Sequence, residues 1–373
     1  MASLYCRGRA NRLRRFLLPL IAVGAVAAAL TAATREKSPR IHLAPLLEKG
    51  ETIRYRIDTQ TSVEGSTTSP IMNPEGAKKE ERATTLEVTL NVLGPLPAAS
   101  PPAPGASEGT RLRVTYDFAD ASSSSDAYDP ATAAFDNLYD KLEGRSMEFT
   151  MSPDGSISHV TGLEDIFTNP SIADSAKAWL AGFGHAAGLP EQGIAIGQKW
   201  SREVPAENLP LRGLVWRIES TYLRNETCAA QAPPDTQTPP DTQSSASGAK
   251  ASSSPPPLPE QPGEPQLCAI ILTESNLIRH GSSHADATPD DYLHNGLRTS
   301  GTWTATCESL NSISLSTGWI VTSTETVNEQ MDYEVKSVQS GSTLHHTGSV
   351  KTQTHIAMLP PAAAAPPTPP KAQ

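Results

Sequence analysis

Apolar residues recur along this chain mostly at every second position. Ile53, Tyr55 and Ile57 alternate with Arg54, Arg56 and Asp58; Leu86, Val88, Leu90 and Val92 alternate with Glu87, Thr89 and Asn91; Leu112, Val114, Tyr116 and Phe118 repeat the pattern. A period of two is that of a strand with one wet face. The same spacing returns at Leu214, Trp216 and Ile218 with Tyr222, at Ile270 and Leu272, and at Trp303 and Ala305. It continues from Trp319 and Val321 towards Val327, through Met331, Tyr333 and Val335, and from Val350 to Met358. Strands that keep one face polar belong to antiparallel sheets rather than to buried parallel ones.

Two stretches change period. After Asp129 and Pro130, an N-cap and a first-turn proline, Phe135, Leu138, Tyr139 and Leu142 fall on one helical stripe that Gly144 ends. The chain then reads as a hairpin: Met147, Phe149 and Met151 form a half-buried strand, and Ser152-Pro153-Asp154-Gly155 has the composition of a tight turn. Ile157 and Val160 break strict alternation, which predicts a short or bulged return strand. The second helical stretch is Ser171 to Ala187, capped by Asn169-Pro170, with Ile172, Ala176, Trp179, Leu180 and Phe183 on its stripe.

The predicted fold is therefore α+β and β-dominated: a long antiparallel sheet, curled like a half-barrel because so many strands in one open sheet must coil, with two short helices on one side. It occupies one domain over 51–358, after an N-terminal linker over 34–50. Stretches 94–109 and 229–265 and a tail over 359–373 are rich in Pro, Ala, Ser and Thr. They hold too little apolar surface to offset backbone entropy, so they are expected to be disordered.

Residues 1–33 carry five arginines (Arg7, Arg9, Arg12, Arg14 and Arg15), then the apolar run Phe16 to Leu30, then the small residues Thr31-Ala32-Ala33. That is a secretory signal layout, and it places the protein in the periplasm or outside the cell; an uncleaved segment would instead anchor it in the inner membrane. No Cys follows the run, so a lipid anchor has no attachment site. Without residues 1–33 the chain keeps 25 Lys and Arg against 40 Asp and Glu, a net charge of −15. Such a surface argues against nucleic acid and anionic membranes. Three cysteines remain, enough for one disulfide in an oxidising compartment. Cys228 and Cys268 flank the 229–265 insert and are the expected pair, with Cys307 able to replace either.

The residues Gly144, Phe149, Met151, Pro153, Gly155 and Ile157, followed by Leu189, Pro190, Ile194, Ile196, Gly197 and Trp200, resemble a family of exported bacterial β-rich proteins of unknown function. Its members join a short helix and a G-x-x-F-x-[LM]-x-P-x-G-x-[IV] hairpin to a later LP…[IV]-x-[IV]-G-x-x-W segment. Gly301 and Gly318 match that family's later strand pair, where the region of Cys307-Glu308 replaces an expected Phe-Asp. The resemblance implies a half-barrel like those of envelope carriers, without the anchoring Cys that many members have.

Chemistry is sparse. Gly105-Ala106-Ser107-Glu108-Gly109 fits G-x-S-x-G, but a proline-rich loop precedes it and a strand follows, the reverse of a nucleophile elbow. His280 and His284, near Asp286, Asp290, Asp291 and His294, lie in a loop-like stretch and lack the rigid frame a metal needs. His345 and His346 are adjacent on a strand and point to opposite faces. No catalytic residue, metal or cofactor is assigned. The expected role is non-enzymatic binding or scaffolding, with an apolar small molecule or an envelope protein as partner and Trp179, Phe183 and Trp200 as candidate walls; the competing reading is an exported hydrolase with a dispersed site.

Overall fold

A computed structural model describes residues 39–68, 78–95, 109–126, 139, 141–153, 155–164, 166–167, 180, 188–206, 209, 211, 213–228, 266–280, 292–294 and 296–361. The expected signal segment, the 229–265 insert, most of the tail and the candidate walls Trp179 and Phe183 lie outside the described residues. So do most of the two helical stretches; their described members Leu142 and Leu180 are buried in one cluster, and Tyr139 packs against it.

The alternating segments form β1 (Thr52–Thr68), β2 (Lys78–Pro95), β3 (Thr110–Ser125), β4 (Ser146–Met151), β5 (Ile157–Thr161), β6 (Lys199–Pro205), β7 (Leu214–Thr227), β8 (Leu267–Arg279), β9 (Tyr292–His294), β10 (Leu297–Ser314), β11 (Ile320–Ser337) and β12 (Thr343–Leu359). All join one antiparallel sheet in the order β5-β4-β3-β2-β1-β12-β11-β10-β8-β7-β6, with β9 added to β10. The sheet is open: β5 and β6 end it. Two meanders are thus joined where β1 meets β12, in a register running from Arg54 opposite Leu359 to Thr68 opposite His345. Gly94 and Pro95, expected to open a disordered loop, still pair with β3, and 96–108 lie outside the described residues.

Alternation decides which face is covered. Ile53, Tyr55, Ile57, Val88, Leu90, Val92, Leu112 and Val114 are all buried on one side, the inner face. The intervening charges pair outside, as in Arg54–Glu87 at 3.3 Å, where an ion pair contributes little. Register defects interrupt the alternation. Opposite Glu87 and Val88, β3 holds one extra residue, Asp117, so Ala119 takes the buried place and Phe118 is left 42% exposed. In the β4–β5 hairpin, His159 adopts φ 51 and Ser158 pairs with Thr150 while Thr161 pairs with Glu148. The return strand is short and bulged, as its broken alternation predicts. Gly144 at φ 76 and Gly155 at φ 82 occupy the left-handed positions expected of them.

The described part of the expected linker, residues 39–50, belongs to the domain as a strap. Ile41 bridges Ile194, and Leu43 is 1% exposed in a cluster with Ile194, Tyr222, Ala269, Ile271, Ile313 and Ile320. Leu46 N–H donates to the Thr317 carbonyl at 2.8 Å, and the fully buried Trp319 donates its indole N–H back to the Leu46 carbonyl at 3.2 Å. The Tyr55 hydroxyl donates to the Ile320 carbonyl at 2.9 Å and ties β1 to the same corner.

Candidate inner-face trough

Beyond the buried clusters, the inner face of β6, β7, β8, β10 and β11 is not covered by apolar side chains. Reading across the strands by register, one row runs Trp200, Ser220, Thr273, Ser309, Glu325 and Thr354; the next runs Arg202, Ile218, Ser275, Cys307, Val327 and Thr352. Short hydroxyl side chains leave the floor low, and a half-open cavity of about 540 Å³ stands over it. It is lined by Leu189, Trp200 and Trp216 and by Ile271, Ile313, Ile320 and Ile356. That volume lies within the range of sites that hold one small organic molecule.

The floor satisfies much of its own hydrogen-bonding capacity. Ser220 and Thr273 share a hydrogen bond at 3.0 Å, and the Asn311 amide donates to the Ser309 hydroxyl at 3.3 Å. Ser220, Ser275, Ser309 and Ser323 are each 7% exposed, so this neutral floor lies deep.

Three titratable side chains line the same cavity: Arg202, Cys307 and Glu325. Glu325 is exposed along the trough, while neighbouring protein atoms crowd its carboxyl. This burial raises its carboxyl above the ordinary range, and a hydrogen bond from the Cys307 thiol opposes the rise. The Cys307 thiol is pushed up to about 12, first by burial and then by the charge of Glu325. It is therefore protonated at neutral pH and a poor nucleophile. Among the described residues, no group of three His, Cys, Asp or Glu side chains is placed to hold a metal ion.

The raised carboxyl has a measurable consequence. Folding takes up a proton at Glu325 between the unfolded and folded pKa values, so its favourable contribution is complete below the unfolded value and is lost as pH rises through the folded one. Glu325→Gln is expected to raise the thermal midpoint at pH 7, with the gain shrinking towards pH ~4, near the ordinary carboxylate pKa. Equal midpoints for the two proteins across that range would show that the trough does not desolvate this group.

Of the candidate walls, Trp200 is in the trough, half-buried against the cluster of Leu43, Ile194 and Tyr222. Trp216, Leu189 and the serine floor escaped the sequence reading: Trp216 read only as strand core, and the floor residues read as polar. The Cys228–Cys268 disulfide is formed, outside the trough, with its Cα atoms 5.0 Å apart. A bulge at Leu223 makes it possible. Tyr222 pairs with Ile271 but Arg224 pairs with Ile270, so the strand changes phase and carries Cys228 onto the face of Cys268. Cys307 remains free and faces the trough opposite Ser275, seven residues along β8 from Cys268.

No family model matches the chain, and no curated protein matches it. Among solved structures it is similar to a DUF1329 family protein from Desulfovibrio piger ATCC 29098, at 6% identity over 93% of this chain and 95% of that one, with a TM-score of 0.16. It is also similar to the COG4313 outer membrane channel from Pseudomonas putida F1, at 10% identity over 85% of this chain and 98% of that one, with a TM-score of 0.18. Scores this low carry no argument about function, so the reading of the trough rests on its own residues.

Proposed function

We propose that this is an exported, non-enzymatic binding protein whose trough takes the apolar part of a small molecule. The observation that carries the reading is the trough itself: about 540 Å³ of space between tryptophan and isoleucine walls, over a floor where Ser220 bonds to Thr273 and the Asn311 amide donates to Ser309. A floor of that kind asks for few polar groups from its occupant, and burying apolar surface against the walls supplies the affinity. Export is supported by the N-terminal layout of an arginine-rich start, an apolar run and small residues, and by the disulfide.

The test is to fill the trough. The native protein is expected to enhance the fluorescence of an apolar probe such as N-phenylnaphthylamine, and alkyl chains should compete. Ser309→Phe places a ring over the floor, where there is room for it, and is expected to weaken probe binding ~10-fold or more while the thermal midpoint stays close to native. Thr324→Phe, on the outer face, serves as the control. Equal binding by Ser309→Phe and the native protein would remove the trough as the site.

A further inference from the structure

We propose that the molecule held in the trough carries an anionic head group and that Arg202 receives it; the inference rests on the trough reading above. Arg202 lies on the edge strand β6, opposite Ile218 and two residues along from Trp200, and it lines the trough. It forms no ion pair or hydrogen bond with any described residue. Nearby arginines on the outer face are paired: Arg217 with Glu203 at 2.8 Å and Arg224 with Glu226 at 2.8 Å. An arginine left unpaired beside apolar walls, in a strongly acidic protein, provides charge complementarity for an anion.

The guanidinium lies close over Gly188. A Cβ on Gly188 would come within 2.5 Å of Arg202 Cζ and within 2.8 Å of Nε and Nη1, so the planar group lies over a spot that only glycine leaves vacant. Gly188 itself lies outside the left-handed region, so what a Cβ there would displace is the tip of the Arg202 side chain. Exposed at the trough's rim over Gly188, the guanidinium offers its fork of N–H donors to a carboxylate or phosphate in two parallel hydrogen bonds.

The trough is polarised along the sheet. Glu325 stands four strand spacings from Arg202, about 19 Å measured along the sheet, and no described cation neutralises it. An anion is repelled from that end and drawn to the β6 rim. This orients the ligand, with its head at Arg202 and its chain over Ile218 towards Ile271 and Ile313.

The chemistry shared by fatty acids and by phosphate-headed lipids is an anionic oxygen head on an alkyl chain, and the experiment separates them. Probe displacement is measured with hexadecanoate, hexadecyl phosphate, hexadecanol and hexadecylamine, all below the concentration at which they aggregate. One or both anions are expected to displace the probe at ~10-fold lower concentration than hexadecanol, with hexadecylamine weakest. The better anion names the head group, carboxylate or phosphate. Arg202→Gln is expected to abolish the preference and leave hexadecanol unchanged; Arg202→Lys should keep part of it. Gly188→Ala, which evicts the guanidinium without removing its charge, should cut the preference several-fold. If hexadecanol binds as well as both anions, or if the preference survives Arg202→Gln, the anionic head is wrong while the trough reading stands. Should none of the four displace the probe, the trough reading falls and takes this inference with it.

Discussion

Trp319→Ala is expected to lower the unfolding free energy by about 3–5 kcal/mol, the usual loss for a buried tryptophan. Trp319 is 1% exposed and packs in the cluster that includes Tyr55 and Leu90, while its indole N–H holds the Leu46 carbonyl. The substitution removes a large buried surface and also frees one end of the strap. Nearby, Gly318 at φ 69 brings its backbone so close to the strap that a Cβ would lie 2.2 Å from the Ala44 carbonyl oxygen, so strap and turn fit only as they are. Trp319→Phe keeps most of the volume and loses the indole hydrogen bond, and should cost a smaller amount, about 1 kcal/mol for the bond plus the residual cavity. Urea midpoints of the three proteins give both values. A loss below about 1 kcal/mol for Trp319→Ala would mean that the strap is not docked on the core.

The strap and the trough mark what could and could not be read from the sequence. Ile53, Tyr55, Ile57, Val88, Leu90, Leu112 and Val114 were legible as an inner face because apolar and polar residues alternate without interruption. The prediction failed at Phe118, since a single extra residue, Asp117, shifts the phase, and no apolar pattern marks such a bulge in advance. Residues 39–50 alternate only over Ile41, His42 and Leu43 before Pro45, too short a run to mark a strand; their burial depends on Ile194 and Thr317, far along the chain, so they read as a linker. The pairing of β1 with β12 is likewise a long-range choice that no local pattern encodes.

The trough was hidden for a different reason. Its floor of Ser220, Thr273, Ser275 and Ser309 sits at inward positions, where alternation would call for apolar residues. Polar side chains at both phases erase the period-two signal, so those parts of β7, β8 and β10 looked like surface. Only Trp200 was named beforehand; Trp179 and Phe183 lie outside the described residues. Arg202 has no signal of its own in the sequence, because neither the absence of an acidic partner nor the glycine beneath it can be read from one strand.

Removing the disulfide is expected to have an effect of the same order as Trp319→Ala. The crosslink joins residues 40 apart, and for a loop of that size the chain-entropy model gives about 4 kcal/mol, an upper figure in practice. The native geometry around it is already well held. Cys228 N–H donates to the Gln266 carbonyl at 2.8 Å, the ladder pairs Thr227 with Leu267 and Glu226 with Cys268, and Gln266 donates to the Ser314 hydroxyl at 2.8 Å. With these strand ends fixed without the bond, its contribution lies in the unfolded chain, which it shortens. The double substitution Cys228→Ser, Cys268→Ser is the right test, because a single one would leave a thiol free to pair with Cys307. Its urea midpoint should fall by the equivalent of about 2–4 kcal/mol, and the slope of the transition should steepen as the unfolded chain expands. Probe binding in the trough should persist below the transition, since the bond lies on the outer face, away from Trp200 and Ser309. Loss of binding by an otherwise folded double variant would instead make the disulfide part of the frame that holds the trough, and stability would no longer be its main contribution.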